Sequence, residues 1–315
     1  MIALDANGAD GGPEVVAEGA RLSGVEYELF DSPVVISNEE EPASAVRAKP
    51  EASIVQAAIA VGEGRAEALV SAGSTGAALA AGLFHVKRLR GVHRPAIAVL
   101  LPIPGSPTLM LDAGANVEVR PEHLVQFAYM GAAFMEAVHG VARPRVGLLS
   151  VGEEAKKGTP DVVEAHERLS GGPLDFRGNV EGHDMTAGVV DVVVTDGFTG
   201  NVALKLMEGT AKVVTGAIRD AIRSSPVSAA GGLLVRGRLG KLRAELDPNS
   251  VGGAILLGLR KPVVIAHGGS SPEGIANALR LARRAVDEGM IERTSAALRA
   301  GGALRSAPAA SVAPE

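Results

Sequence analysis

The chain has 315 residues, of which 46% are hydrophobic and 21% are charged, and its formal net charge is −5. These fractions exclude a disordered protein, and the length allows one large α/β domain or two smaller lobes. The absence of cysteine excludes disulfides, thiolate metal ligands and a thiol nucleophile, and only 3% of residues are aromatic, so nucleic acid is not an expected partner.

Apolar, β-branched runs alternate with helical patterns along the chain. The predicted strands lie at residues 2–4, 27–30, 34–36, 68–71, 97–101, 108–111, 146–150, 176–178, 189–195 and 263–266. The predicted helices lie at residues 13–22, 54–62, 76–89, 121–138, 161–169, 202–222 and 275–288. This alternation predicts an α/β fold whose mostly parallel sheet is covered by helices on both faces. We expect a single domain at 1–295 and a flexible C-terminal tail at 296–315.

Six polar loops each follow a predicted strand. They hold glycines, hydroxyls, carboxylates and amides, and they lie at residues 71–77, 111–116, 151–158, 178–184, 195–201 and 267–271. Ligands of parallel sheets bind beyond the carboxyl ends of the strands. We therefore expect these loops to meet in one crevice at one edge of the sheet.

The loop TDGFTGN (195–201) joins a buried strand to a long helix. A helix N-terminus rich in glycine directs backbone N–H groups at an anion, and Lys205 adds a positive charge one turn into the helix. An ordinary connection in which Thr199 or Asn201 caps the helix is the alternative. For Lys205 the alternative is an exposed i,i+3 pair with Glu208.

Several common ligand signatures are missing. The sequence has no G-x-G-x-x-G after the first strand and no P-loop, which disfavours dinucleotides and ATP. The seven histidines lack H-x₃-H and H-E-x-x-H spacing, so no metal site is expected. His267, between a strand end and a Gly-Gly-Ser-Ser run, is the one histidine for which we expect a functional role, with plain hydrogen bonding as the alternative.

Ten segments in collinear order span nearly the whole chain. They are IALDANGAD (2–10), SAGSTGA (71–77), RPAIAVLLP (94–102), LDAGAN (111–116), PEHLVQFAYMG (121–131), VGEEAKKG (151–158), GNVEGHD (178–184), TDGFTGNVALKLMEG (195–209), LDPNSVGGAILLGL (246–259) and AHGGSS (266–271). These segments resemble the PlsX-type phosphate acyltransferases of bacterial phospholipid synthesis. The chain departs from that family's usual residues at Asn7, Ser74 and Pro272, and its first lobe is shorter by a βα unit.

The resemblance implies a homodimeric three-layer α/β/α sandwich, similar to isopropylmalate dehydrogenases and phosphotransacetylases. It implies direct attack of inorganic phosphate on the thioester of acyl-[acyl carrier protein], without a cofactor, to give a long-chain acyl phosphate. A membrane glycerol-3-phosphate acyltransferase is the implied downstream partner. Members are cytoplasmic and attach peripherally to the membrane, and this sequence shows neither a secretory leader nor an apolar run of the ~20 residues that span a bilayer.

The reaction asks the protein to position phosphate and to stabilise an oxyanion. The residues expected to bind phosphate are Gly73, Ser74, Thr75, Gly76, Thr199, Gly200, Asn201 and Ser270. We expect Lys205 to supply positive charge and His267 to donate a hydrogen bond or a proton. Asn116 or the backbone N–H groups near Gly268 and Gly269 are expected to face the oxyanion. Asp196 is expected to orient its neighbours, since a carboxylate beside phosphate repels it.

Residues 209–245 carry seven basic and two acidic side chains, a net charge of +5. Within this region, residues 224–246 are predicted to form a basic amphipathic helical hairpin that protrudes from the domain. Its expected contact residues are Leu233, Leu234, Arg236, Arg238, Lys241 and Arg243. Contact with an anionic membrane, reception of the acidic carrier protein, a dimer interface and a merely solvated helix face stay open as its role.

Two other functions stay open at this point. A phosphotransacetylase acting on acyl-coenzyme A needs the same fold and the same phosphate site. A non-catalytic membrane-associated ligand sensor or scaffold needs the crevice without turnover.

Overall fold

The computed structural model describes residues 1–103, 105, 107–245 and 247–304. The strands are β1 (Ile2–Asp5), β2 (Tyr27–Phe30), β3 (Leu69–Ser71), β4 (Ala96–Leu101), β5 (Thr108–Leu111), β6 (Arg145–Leu149), β7 (Asp175–Val180), β8 (Val192–Val194), β9 (Ala254–Leu257) and β10 (Val263–Ile265). The helices are α1 (Gly12–Ser23), α2 (Pro42–Ala48), α3 (Ser53–Gly62), α4 (Thr75–Ala81), α5 (Pro121–His139), α6 (Pro160–Ser170), α7 (Gly197–Arg223), α8 (Pro226–Glu245), α9 (Pro272–Asp287) and α10 (Met290–Ala300).

These strands form one sheet in the order β2-β1-β3-β10-β9-β4-β5-β8-β6-β7. Most of its ladders are parallel, and antiparallel ladders join β10 to β9, β9 to β4 and β4 to β5. β1, β2, β3, β10 and β4 therefore run in one direction, and β9, β5, β8, β6 and β7 run in the other. The predicted mostly parallel sheet is confirmed, with a reversal of strand direction at its centre.

Successive side chains of a strand pack on opposite faces of the sheet, and this alternation builds two apolar layers. In β5, Leu109 and Leu111 belong to the cluster formed with α1, α5, α6, α9 and α10. Met110, between them, belongs to the cluster formed with α2, α3 and α4, against which Leu204 and Met207 of α7 also pack. The three-layer α/β/α sandwich is confirmed.

Several helices begin with a capping side chain followed by proline. Thr159 caps α6 by accepting a hydrogen bond from the Val162 backbone N–H, and Pro160 follows it. Ser271 caps α9 in the same way, with Pro272 as the first helical residue. Proline suits this position because its missing N–H has no helical partner there. The family departure at Pro272 is therefore a helix-starting residue.

The structure differs from the sequence prediction at several places, and neither α2 nor α10 was among the predicted helices. Residues 34–36 form no ladder, although Ile36 is buried, and β9 was not predicted. The tail was predicted to begin at residue 296, but α10 continues to Ala300 and buries Leu298 against the first apolar cluster, which Leu304 also contacts. Packing of these two leucines against the cluster holds the segment in place, so the tail boundary at 296 is wrong. Residues 305–315 lie outside the described part of the chain.

The region predicted as a helical hairpin, 224–246, holds a single helix, α8, and it is α8 together with α7 that forms a hairpin. α7 has 27 residues and is therefore about 40 Å long, yet only Gly197 and Gly200 at its start are buried. α8 approaches α7 closely at Gly232, where an added Cβ would lie 2.4 Å from Ile222 Cγ2. Leu233 and Leu234 are 70% and 89% exposed, and the side chain of Arg243 lies outside the described set.

Among the described residues, no helix is both long enough and apolar enough to cross a bilayer.

Two valines, one in β6 and one in the loop after it, should differ in how much they contribute to stability. Val146 in β6 is buried, whereas Val151 is 82% exposed. We expect Val146→Ala to lower the free energy of unfolding by about 2 kcal/mol, because it removes buried methyl groups and leaves a cavity. Val151→Ala removes the same atoms from the surface and should change stability by less than about 0.5 kcal/mol. Urea denaturation of both variants measures the difference, and equal effects would contradict the burial assignment.

Candidate active site

The turn after β5 is organised around a buried carboxylate. Asp112 Oδ1 accepts hydrogen bonds from the backbone N–H groups of Ile97 (3.0 Å), Gly114 (3.2 Å) and Ala115 (3.0 Å). Its Oδ2 accepts from the backbone N–H of Asn116 (2.7 Å) and from Asn116 Nδ2 (2.8 Å). Burial raises the pKa of Asp112, and these donors oppose that rise by stabilising the carboxylate. The carboxylate therefore fixes the whole turn.

Asn116 is part of this structural network. Its Nδ2 donates to the Pro95 carbonyl at 2.8 Å as well as to Asp112, so both amide hydrogens have acceptors. A side chain with both hydrogens engaged has none to offer an oxyanion. In this structure Asn116 positions the turn, and the role predicted for it as an oxyanion donor stays a prediction.

The start of α7 is capped by the chain's own carboxylate. Asp196 Oδ1 accepts from the Thr199 backbone N–H (2.8 Å), and Oδ2 accepts from the Thr199 hydroxyl (2.7 Å). The Gly197 and Gly200 N–H groups donate to the carbonyls of Asn116 (2.7 Å) and Asp196 (3.0 Å). A carboxylate thus holds the place of an anion at this helix end. The cap engages the donors of Thr199 and Gly200, and the phosphate contacts predicted for these two residues stay a prediction. The connection is capped, but by Asp196 and not by Thr199 or Asn201 as the alternative had it.

Asn201 and Lys205 lie one turn apart on an exposed face of α7. Asn201 is beside the Asp112 turn, since an added Cβ at Gly114 would lie 3.8 Å from the Asn201 side chain. Lys205 Nζ lies 3.2 Å from Glu208 Oε2, and the lysine side chain is 59% exposed. This is the i,i+3 pair considered as the alternative for Lys205, and a pair this exposed is weak enough to exchange for another anion.

A second cluster lies where β1 and β3 end. Asp5 is buried and accepts hydrogen bonds from Ser53 Oγ (2.5 Å), Ser71 Oγ (2.6 Å) and the Asn7 backbone N–H (3.1 Å). Burial raises the pKa of Asp5, and the hydroxyl donors oppose the rise. Ser71 Oγ also accepts from the Gly73 backbone N–H at 3.0 Å, which ties the glycine loop to Asp5.

The glycine loop opens α4. Ser74 Oγ caps the helix by accepting from the Ala77 backbone N–H at 3.4 Å. In the described chain, the backbone N–H groups of Thr75 and Gly76 have no acceptor. These are the orphan donors that a helix start offers to an anion, and here no carboxylate caps them. The start of α4 thus offers an incoming phosphate more N–H donors without an acceptor than the start of α7 does.

His267 adjoins this second cluster. The Ala266 backbone N–H donates to the Ser71 carbonyl at 2.8 Å, so the loop after β10 lies beside the glycine loop. His267 Nδ1 accepts from the Gly269 backbone N–H at 3.1 Å, which leaves the ring hydrogen of the neutral side chain on Nε2 as a donor. Ser270 donates its backbone N–H to the His267 carbonyl at 2.8 Å and is itself buried.

The predicted convergence of all these loops on one sheet edge is wrong. Ser74 and His267 follow β3 and β10, whereas Asn116 and Asp196 follow β5 and β8, which run in the opposite direction. β3 and β8 stand five places apart in the sheet, about 24 Å at the usual ~4.8 Å spacing between strands. Two clusters result, one around Asp5 and one around Asp112.

Sequence reasoning missed Ser53 and the role of Asp5. Ser53 is the first residue of α3 and lies 48 residues from its acceptor Asp5. A single hydroxyl at a helix start is an ordinary cap pattern, so no local signal pointed to this contact.

Comparison with known proteins identifies the family. The family described as fatty acid synthesis protein matches residues 23–293. Proteins named phosphate acyltransferase are 44% identical over 316 residues in Anoxybacillus flavithermus and 45% identical over 315 residues in Thermobifida fusca. These alignments cover 92% and 91% of this chain and 96% and 88% of the relatives. The chain belongs to the phosphate acyltransferase family.

Solved structures share the fold of this family member. A phosphotransacetylase from Streptococcus pyogenes aligns with a TM-score of 0.58 at 18% identity, over 91% of this chain and 94% of that one. A branched-chain phosphotransacylase from Enterococcus faecalis gives 0.55 at 16% identity, and a 4-hydroxythreonine-4-phosphate dehydrogenase from Klebsiella pneumoniae gives 0.52 at 14%, each over 91% of this chain and 99% of that one. The predicted phosphotransacetylase- and dehydrogenase-like fold is confirmed, and at these identities the likeness concerns the fold alone.

The close approach of α7 to the Asp112 turn predicts a glycine requirement. An added Cβ at Gly200 would lie 2.0 Å from the Asp112 carbonyl oxygen, whereas at Gly209 in the same helix it meets nothing within 4 Å. We expect Gly200→Ala to lower the free energy of unfolding by about 1–3 kcal/mol through overpacking. Gly209→Ala should leave stability unchanged or raise it by up to ~1 kcal/mol, because alanine favours helix. Thermal and urea unfolding test the pair, and a Gly200→Ala variant as stable as Gly209→Ala would contradict the contact.

Proposed function

We propose that this family member transfers a long-chain fatty acyl group from acyl-[acyl carrier protein] to inorganic phosphate, giving acyl phosphate for phospholipid synthesis. The observation that carries the proposal is the identity of 44–45% to phosphate acyltransferases across more than nine-tenths of the chain. A phosphate oxygen bonds to the thioester carbonyl carbon, the carbon–sulfur bond breaks, and the sulfur leaves as a thiolate that takes up a proton.

The Asp5 cluster is the proposed phosphate site. Gly73, Ser74 and the free backbone N–H groups of Thr75 and Gly76 surround the start of α4, and Ser270 lies in the adjoining loop. Asp5 holds the loop in place by accepting hydrogen bonds from the hydroxyls of Ser53 and Ser71. Its carboxylate is buried among these donors and is not exposed to the anion. Preorganised N–H groups of this kind stabilise an anion without reorganisation during the reaction.

His267 and Lys205 are the proposed charge-handling side chains. Nε2–H of His267 is proposed to donate to the developing oxyanion or to the leaving sulfur, and the proposal is supported by Nδ1 already accepting from Gly269. Lys205 and Asn201, on the exposed face of α7, are proposed to bind an anionic group of the acyl donor, with Lys205 exchanging Glu208 for it. Asp196 and Asn116 act as positioning residues through the α7 cap and the Asp112 turn.

The test is formation of labelled acyl phosphate from radiolabelled phosphate and palmitoyl carrier protein, with palmitoyl-coenzyme A as a second donor. We expect His267→Gln and Lys205→Met each to lower kcat/KM at least tenfold. His166→Gln and Lys212→Met are the matched controls, since His166 packs on Phe176 and Lys212 is exposed further along α7.

The outcomes separate the candidate functions. Faster reaction with the carrier-protein donor supports the proposal, and exclusive use of the coenzyme A donor favours the phosphotransacetylase alternative. A folded protein that forms no acyl phosphate from either donor would leave the sensor or scaffold function. An unchanged rate in Lys205→Met would remove that lysine from the site.

We also propose that the chain is a cytoplasmic homodimer that attaches peripherally to anionic membranes through its hairpin. Phe198, Leu206 and Val213 of α7 are exposed at 63%, 69% and 73%, and they form an apolar surface that a second copy would cover.

The membrane contact is proposed for α8. Its apolar Leu233 and Leu234 stand next to the exposed Arg236 and Arg238 in sequence, with Lys241 one turn further on. This combination suits an anionic lipid surface. The carrier protein and a membrane glycerol-3-phosphate acyltransferase are the proposed protein partners.

Vesicle flotation tests the membrane contact. We expect the Leu233→Asp, Leu234→Asp double variant to lose binding to vesicles of phosphatidylglycerol and phosphatidylethanolamine, because two charges replace the exposed leucines. Val151→Asp, on an exposed loop of the body, should float like the unaltered protein. Undiminished flotation of the double variant would argue for the carrier protein or the dimer partner as the occupant of this surface.

A further inference from the structure

Two histidines and a glutamate that are distant in sequence meet at the start of α5. Ligand atoms of His93, Glu122 and His123 all lie within 4.8 Å of one another. His93 precedes β4, and the other two residues belong to the first turn of α5. The imidazole rings of His93 and His123 have centroids 5.7 Å apart and are tilted by 51°. Neutral imidazole and carboxylate are the ligands that zinc and similar ions take up in sites with three protein ligands.

The segment that carries His93 is held to α5 by a buried glutamine. Gln126 Oε1 accepts from the His93 backbone N–H at 2.8 Å, and Gln126 Nε2 donates to the carbonyls of Gly91 (2.9 Å) and Ala303 (2.7 Å). Gln126 lies three residues after His123, on the same helix face. The backbone of His93 is thus fixed relative to His123 through one side chain, which lowers the entropy cost of bringing the two rings to one ligand.

A cavity adjoins the three side chains. It has a volume of about 430 Å³ and is lined by His93, Arg94, Glu118, Val119, Arg120 and His123. It gives an incoming ion an entry path, and it leaves room for a water molecule or an anionic oxygen as a further ligand. Arg94 and Arg120 would attract such an anion once the ion is in place.

We propose that His93, Glu122 and His123 bind a divalent transition-metal ion, with Zn²⁺ as the best-suited ion, and that the open coordination position faces this cavity. Tetrahedral zinc places its ligand atoms ~3.3 Å apart, so modest side-chain rotation brings the three donors from their present separation to bonding distance. An ion at this site would clip the segment before β4 to α5.

Among the contacts described for Arg120, Glu122 and His123, two oppose the ion, and the arrangement accommodates both. His123 Nδ1 accepts from the Arg120 backbone N–H at 3.2 Å, so coordination through Nε2 moves the ring proton to Nδ1 and gives up this long hydrogen bond. Arg120 also lies 4.0 Å from Glu122, but its side chain is 76% exposed and is able to turn away. Glu118 and Glu122 offset the positive charge of the two arginines.

Cobalt is the probe for this site because tetrahedral Co²⁺ absorbs visible light, and Zn²⁺ displaces it. The experiment titrates the full-length, tag-free protein with Co²⁺ and then with Zn²⁺, following the visible spectrum. We expect one Co²⁺ per chain and loss of the spectrum on addition of Zn²⁺. The affinity should fall at least tenfold in His93→Ala, Glu122→Gln and His123→Gln, since each removes one of three ligands.

His166→Gln is the matched control, a histidine on α6 outside the cluster, and it should bind like the unaltered protein. His93→Ala keeps its backbone hydrogen bond to Gln126, so it should fold, and circular dichroism checks this. A folded protein that gives no cobalt spectrum and takes up no Zn²⁺ would overturn the proposal. Binding that survives in all three variants would overturn it too, because the ion would then be held elsewhere.

Discussion

The burial of Asp112 is the constraint on which the second half of the molecule depends. A carboxylate removed from water is unfavourable unless several donors surround it, and here five N–H groups from β4 and from its own turn do so. The same turn presents its carbonyls to the first residues of α7, with Gly197 bonded to one of them and Gly200 in contact with another. The position of α7, and hence of Asn201 and Lys205, follows from that one buried charge.

The two helix starts of the candidate site show why a loop's composition does not settle its chemistry. Both loops are short, rich in glycine and hydroxyls, and follow a buried strand. At α7 the cap is Asp196, whose carboxylate takes the place of an external anion. At α4 the cap is Ser74, which is uncharged and leaves two donors unused. A difference in one capping residue therefore decides whether the helix start keeps N–H donors without an acceptor.

Much of the architecture could be predicted from the sequence, because apolar strand runs and helical periodicity are local signals. Most of the strands and the long helices α5 and α7 were found in this way, and the family segments indicated the three-layer fold, but β9 at the centre of the sheet was missed. Strand direction was not accessible, since the sequence of β9 says nothing about whether it pairs parallel or antiparallel with β10 and β4. That unseen reversal is why Asn116 and His267, both correctly placed after strands, do not share one edge.

The individual roles within the site were predictable only where the chemistry is local. Asp196 was expected to orient its neighbours, and in the structure it does so locally, by capping α7 and accepting from the Thr199 hydroxyl three residues later. The engagement of both Asn116 amide hydrogens depends on Pro95, which lies 21 residues away, and the support of Asp5 depends on Ser53, 48 residues away. Contacts at such separations arise from the packing of layers and leave no pattern in neighbouring residues.

The length of α7 has a mechanical consequence. One continuous helix begins at the buried turn and ends about 40 Å away in the exposed hairpin, with no intervening loop to absorb a rotation. A rotation imposed at the Arg223 end of α7 is therefore transmitted along the continuous helix to its buried start at Gly197. A displacement of the hairpin end and the orientation of the Lys205 region are, for this reason, mechanically linked and not independent.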